Sequence, residues 1–486
     1  MLEKKNQKIN TRDFIKKACL GLVVVVVVVS LFATSNVFAL GDNVDVRKYA
    51  GTKITILGHP GHHTQGVLEL KDIFTELTGI EVDLQLYEES TQREKQVLDY
   101  ASGAGDYDAA EVPFMLMVEY LKAGFLEPLD SYIEKELVLF DNKPFDLNDY
   151  PLWCTIPFRR DMDPANELYT IGQCVYAPQI TYRADYMKEL GIDIPDTIDD
   201  YNTKYLEAYG KAMGGELKMK GQDFYPIAIR ASSSFESYFS LGGITNAFGD
   251  PTLIDLETNT PFPDRQAWID GLTWIAGALQ KYGHPGQSTM TWYDLIPFMQ
   301  SGQIGSWLDH TGFHQAWQLA KESKIRDAVT YGPALKGPSG RRMSTCPYTD
   351  GWAMNANSKN KDATWLFIAW SVSNARYMLE IEKGIRFDLP NFVTINSDLY
   401  KSKLKENNLE NWFNMWVSKE LGGLMVDDPS EIRFFLKHFP QTELFLELVE
   451  AYQVEASDCI AGRQGAEEAI NKAEKKMLEI IAEAKR

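Results

Sequence analysis

The sequence predicts an α/β protein of more than one domain. Three observations carry that reading. Short β-branched strands alternate with amphipathic helices from Lys53 to Lys122. A chain of 486 residues exceeds one ordinary core. Between Leu168 and Asp200 an apolar run, a short polar helix and a proline turn follow in fixed order.

Lys53 to Leu57 (KITIL) reads as the first strand. After a Gly58-His59-Pro60-Gly61 turn, Thr64 can cap a helix that puts Val67, Leu70, Phe74 and Leu77 on one face. Thr78-Gly79 ends it, and Ile80, Val82, Leu84 and Leu86 alternate along a second strand. Ser90 caps the next helix. Asp106 to Glu111 forms a third strand, and Pro113 opens another helix at its favoured first position. Strand–helix alternation at these lengths makes a parallel sheet with right-handed crossovers. No Gly-x-Gly-x-x-Gly follows a strand, so no dinucleotide site is indicated.

Cys174 to Tyr182 reads as a buried strand, Ala184 to Leu190 as a helix stopped by Gly191, and Pro195-Asp196-Thr197 as a turn. Helices are expected at 198–214, from Ser232 to Tyr238, and from Arg265 to Tyr282, with a strand at Phe224 to Ile229. Asp350 to Met354 is a further strand, followed by a helix from Asp362 to Ser373. The last helix carries Ala466, Ile470, Ala473, Met477, Ile480 and Ala484 as a docking stripe.

Formal net charge is −19. Residues 1–39 hold six basic and two acidic side chains, leaving 43 basic against 66 acidic beyond them, or −23. Such a surface repels nucleic acid and anionic membranes, so neither is an expected partner. The amino terminus reads as a targeting segment: Lys4 to Lys17 is basic, Ala18 to Phe32 is apolar, and Val37-x-Ala39 is a small-residue cleavage site. Cleavage after Ala39 exports the chain to the periplasm or exterior; the competing reading is an uncleaved anchor over 18–40. Cys19 lacks a lipoprotein context. Cys154, Cys174, Cys346 and Cys459 remain, none with CxxC spacing, and Cys154 and Cys174 are a candidate disulfide pair.

Tyr182-Arg183-Ala184-Asp185 and Gly191-Ile192-Asp193-Ile194-Pro195-Asp196-Thr197 resemble the first crossing between lobes in family 1 extracellular solute-binding proteins of ABC transporters, the maltose-binding-protein type. Further motifs fall in the same order: Gly105-x-x-Asp108, Lys122 to Asp130 (KAGFLEPLD), Ser301 to Trp307 (SGQIGSW) and Tyr331-Gly332-Pro333 to Gly340. The resemblance covers about residues 50–485. It implies a periplasmic-binding-protein-like class II fold, two α/β lobes joined by a multi-strand hinge with a cleft between them. The implied parts are a signal peptide at 1–39, a first lobe at 40–177 with a return at 307–375, and a second lobe at 178–306 and 376–486.

In open α/β sheets, ligands sit beyond the carboxyl ends of strands. That rule selects His59, His62, Glu88, Glu111 and Tyr238; facing lobes add Tyr176, Trp307, Asp309, Asp350, Trp352 and Arg386. Carboxylates and Arg suit the hydroxyl edge of a saccharide, and aromatic rings suit its faces. Each has a plainer alternative: Trp307, Trp352 and Tyr176 as packing, Glu88 and Glu111 as solvated acids, Arg386 as a partner of Asp388. The histidines of His59-Pro-Gly-His62-His63 and His310-x-x-x-His314 could suit zinc, but read better as donors to hydroxyls, so no metal and no cofactor are expected.

The function expected is therefore a non-catalytic receptor. It captures a sugar, oligosaccharide or polyol by hinge closure and delivers it, as a monomer, to the membrane permease. The alternatives are a glycoside hydrolase using Glu111 and Asp309, and a metal-binding solute receptor. No Gly-x-Ser-x-Gly supports a serine hydrolase.

Overall fold

The structure is a computed structural model describing residues 46–135, 139–344 and 347–485, except the side chain of His62. The targeting segment, Cys346 and the His62 side chain lie outside the described residues. Two sheets organise the chain. The first has the order β7-β3-β1-β2: β1 is Lys53–Gly58, β2 Glu81–Leu86, β3 Ala109–Pro113 and β7 Asp350–Met354. β1 runs parallel to β2 and β3, as strand–helix alternation requires, while β7 returns antiparallel to β3. The second is an antiparallel sheet of β6-β4-β5, where β4 is Pro178–Arg183, β5 Ser306–His310 and β6 Val329–Pro333. The chain thus stays in the second sheet at Ser306 to Pro333 and rejoins the first only at Asp350.

α1 (His62–Thr78) lays Val67, Leu70 and Phe74 against the first sheet, with Leu77 half-buried at its edge. It starts before the Thr64 cap expected from sequence, because Thr64 Oγ1 accepts the Gly61 N–H at 2.9 Å from inside the first turn. α2 (Glu89–Ser102) likewise starts ahead of Ser90. Ala184–Leu190 and Arg265–Tyr282 are helical as expected. Pro113 ends β3, and a 3₁₀ turn precedes the helix Met117–Lys122.

Phe224 to Ile229 lies beside β5 but makes only isolated bridges, Tyr225 to Ile304 and Ala228 to Trp307. Pro226 within it has no N–H to extend a ladder. The terminal helix Ala466–Ala484 buries Ala466, Ala469, Ile470, Ala473, Met477 and Ile481. Ile480 is half-buried and Ala484 exposed, so the stripe drifts round as a 3.6-residue period demands.

Between the sheets, Tyr176 and Tyr348 exchange backbone hydrogen bonds, Tyr176 N–H to Tyr348 O at 2.8 Å and the reverse at 3.2 Å. The indoles of Trp412 and Trp416 brace this crossing by donating to Thr311 O (2.7 Å) and Val175 O (2.6 Å). Cys154 and Cys174 are free, buried thiols, so the candidate disulfide is not formed. Cys174 instead donates to Asp350 Oδ1 at 3.2 Å.

Candidate functional site

The carboxyl ends of β1 and β3 and the start of β7 meet at one edge of the first sheet. Register places Glu111 opposite Trp352 and Asp350 opposite Pro113, while β1 runs directly into His59. There a half-open cavity of about 50 Å³ is lined by residues of both halves of the molecule. His59, Gly61, His63 and Glu89 come from first-lobe loops and helix starts. Tyr176 and Tyr348 come from the crossing, and Arg230, Phe239, Trp292, His310 and Phe313 from the second lobe.

Two arrangements define its chemistry. One is a row of rings: Tyr348 stacks on Tyr176 (5.7 Å between centroids), Tyr176 on His310 (4.3 Å) and His310 on Phe313 (4.4 Å). Gly312 permits this row, because a Cβ there would lie 2.5 Å from the Tyr176 ring. The Gly312 N–H donates to His310 Nδ1 at 2.9 Å, which leaves the His310 proton on Nε2.

The other arrangement is charged. Arg230 meets Asp309 side-on, Nε to Oδ2 at 2.8 Å and Nη2 to Oδ1 at 2.7 Å. Ser240 Oγ and Trp307 Nε1 also donate to Asp309 Oδ2, at 3.1 and 3.0 Å. Opposite, Glu111 is clasped by His59 Nδ1 (3.1 Å) and by His63 Nε2. Burial opposes charge on His59, yet the Glu111 carboxylate overrides it and pushes the imidazole up to about 10. Burial also opposes charge on Glu111, but the two imidazoles hold it well below the usual carboxylate range. Asp350, beside the same pair, is pushed up to about 7 by burial and by Glu111. Burial raises Glu89, and it raises Glu236 to about 8 with help from Glu89.

Of the residues selected from sequence, His59 and Tyr176 line the cavity. Glu111, Asp350 and Asp309 stand directly behind lining side chains, and Trp307 stands behind Asp309. Four others are elsewhere. Glu88 is exposed and accepts from Ser90 Oγ (2.8 Å), while its neighbour Glu89 turns inward on the first turn of α2. Tyr238 is buried in the second lobe with its hydroxyl on His438 O. Trp352 packs on Phe367 at 5.9 Å. Arg386 lies behind the crossing, where it pairs with Asp388 (3.2 Å) and donates to Gln173 O (2.6 Å). Sequence reasoning passed over Arg230, Glu89, Trp292, Phe313 and Tyr348. The carboxyl-end rule applied to Phe224–Ile229 points to Arg230, which directly follows it; nothing local marks Trp292.

Two α/β halves closing on a polar, ring-lined cavity define a ligand-binding class of fold. The chain belongs to the bacterial extracellular solute-binding protein family, whose family model matches residues 62–377. It is 26% identical over 364 residues to the erythritol/L-threitol-binding protein of Mycolicibacterium smegmatis, covering 71% of each chain. A solute-binding protein of an ABC transporter from Agrobacterium vitis, solved with bound D-mannitol, superposes with a TM-score of 0.73 at 21% identity, covering 89% of this chain and 99% of that one. One from Agrobacterium radiobacter in complex with ribitol gives 0.72 at 14% identity, with the same coverage. The fold is thus the two-lobed α/β fold expected, in a family of substrate-binding transport proteins. Among the described residues, no helix is long and apolar enough to cross a membrane.

Proposed function

We propose that this chain is the exported receptor of an ABC importer and that it captures a small polyol, or a sugar of similar size, in the cavity between its lobes. The observation that carries the reading is the cavity itself. It joins a buried Arg230–Asp309 pair and a His59–Glu111–His63 cluster to a row of rings, in about 50 Å³. Charged donors and acceptors suit vicinal hydroxyls, and rings suit the C–H faces between them. Relatives named for erythritol and L-threitol, and solved with D-mannitol and ribitol, support the same ligand class. The lining residues, and Glu111, Asp309 and Asp350 behind them, form the binding machinery in this reading. Glu111 and Asp309 are engaged by cationic partners, which favours binding over glycoside hydrolysis.

Closure follows if the guest touches both halves only when they are together. The closed form then docks on the permease as a monomer, and the leader is removed after Ala39. Isothermal titration with erythritol, L-threitol, ribitol, D-mannitol, D-glucose, D-fructose and maltose tests the reading. A polyol of four to six carbons should bind with about −8 kcal/mol, the micromolar range. If none of the polyols or monosaccharides releases heat or raises the melting temperature, or if maltose binds best, the reading is wrong. Amino-terminal sequencing of the secreted protein should begin at Leu40.

A further inference from the structure

Beneath the ring row, ionisable side chains come together almost without water. His59, His63, Glu111 and Asp350 are all buried, the two carboxylates at 1% and 0% exposure. Donor atoms of His59, His63 and Glu111 lie within 4.8 Å of one another, as do those of His63, Asp350 and Cys174, so His63 belongs to both sets. Two donors about 2.0–2.1 Å from a tetrahedral zinc ion stand roughly 3.3–3.4 Å apart. His59 Nδ1 and Glu111 Oε2 are separated by 3.1 Å, and His63 Nε2 and Asp350 Oδ2 by 3.2 Å.

Protons alone satisfy this cluster poorly. His63 Nδ1 is engaged by the Tyr176 hydroxyl at 3.1 Å. Its Nε2 therefore faces Glu111 Oε1 and Asp350 Oδ2 together, and one nitrogen carries at most one proton. Among the described residues, neither His63 Nε2 nor Asp350 Oδ2 finds a hydrogen bond of good geometry. Imidazoles that ligate a metal are neutral, so the two buried carboxylates then carry −2, which a divalent ion cancels where protons alone must place a positive charge on buried His59.

The surroundings hold the donors as an outer sphere does. Gln173 Nε2 and the His59 N–H both donate to Glu111, each at 3.3 Å. Tyr176 fixes His63, and the Cys174 thiol fixes Asp350 Oδ1 at 3.2 Å. Each donor also sits on or beside a regular element: the end of β1, the first turn of α1, β3 and β7.

We propose that the floor of the cavity is a site for a divalent ion of the zinc class, held by His59, His63 and Glu111 with Asp350 beside His63. Because both histidines also line the cavity, the ion keeps one side open towards it. The inference does not depend on which solute the receptor carries.

The test uses the secreted chain, purified without a histidine tag and stripped with a chelator. Titration with Zn²⁺ should show one saturable site, and Co²⁺ should give the intense visible bands of a low-coordinate nitrogen–oxygen site, bleached by added Zn²⁺. Glu111→Gln and His63→Ala should abolish the stoichiometric site, with folding checked by circular dichroism. His284→Ala should leave it intact. Tyr176→Phe, which frees His63 to turn, should weaken Zn²⁺ about 10–100-fold. If the stripped protein takes up no Zn²⁺ and gives no Co²⁺ bands, or if folded Glu111→Gln and His63→Ala variants still bind stoichiometrically, the inference is overturned. Polyol titration of the same stripped protein separates the two readings: polyol binding without any metal site sinks only the ion.

Discussion

Replacing Asp309 by Asn tests whether the cavity's guanidinium is held in place by its buried partner. Asp309 and Arg230 are 2% and 4% exposed, and four donor atoms converge on the one carboxylate. Asparagine keeps the shape but removes the charge, and one of its two positions becomes an NH₂ facing an Arg230 N–H across 2.7–2.8 Å. Breaking a buried pair from one side costs about 3–5 kcal/mol, because the remaining charge is left without compensation. Urea unfolding followed by tryptophan fluorescence should show a loss of that size.

A guanidinium free to turn also loses its aim at a ligand hydroxyl. A charged hydrogen bond of about 1.5–3 kcal/mol corresponds to roughly 10–150-fold weaker polyol binding by titration calorimetry. The double variant Asp309→Asn with Arg230→Met should recover stability over Asp309→Asn alone, since no charge is then stranded. Stability within about 1 kcal/mol of the parent, with affinity within about threefold, would refute the reasoning.

Acid should destabilise the fold in a definite window. Burial depresses His314 to about 4 and His438 to about 3, from an unfolded value near 6.5. Above pH 6.5 both states are neutral at these sites; as pH falls, only the unfolded chain takes up the protons, so stability drops with acidity. Two such groups give about 2–3 kcal/mol per pH unit between pH 5.5 and 4.5, and His438→Leu should remove about half of that slope in denaturation series. Gly312→Ala drives a methyl into the Tyr176 ring and should weaken polyol binding about 5–150-fold, through overpacking of about 1–3 kcal/mol; unchanged affinity in calorimetry would show that the ring row does not contact the guest. Arg386→Met leaves Asp388 buried without its cation, while Glu380 keeps Arg376 at 2.6 Å, and should cost about 3–5 kcal/mol in unfolding experiments, with polyol affinity within about threefold. A large affinity loss in folded Arg386→Met would place that residue at the site after all.

Much of the fold is legible in the sequence because it depends on local signals. The alternation from Lys53 to Pro113, the helix Ala184–Leu190 stopped by Gly191, and Arg265–Tyr282 all follow from periodicity and caps. Phe224–Ile229 misleads because its composition is that of a strand, while one proline denies it a ladder. The carboxyl-end rule reaches His59 and Glu111, since strand direction alone places them. It cannot tell Glu88 from Glu89, because one residue of helix start decides which carboxyl faces inward. Trp352 and Arg386 show the other limit. An aromatic ring or a cation beside a cleft reads the same whether it faces the guest or props the wall behind it, and only packing separates the two.

Tyr176 and Tyr348 are at once the paired backbone of the crossing and two of the rings that face the cavity. Affinity and flexing are therefore written into the same two positions. A lineage that altered either ring to suit a new nutrient would also shift how often the empty receptor rests ajar, so selectivity and the resting population cannot drift independently here.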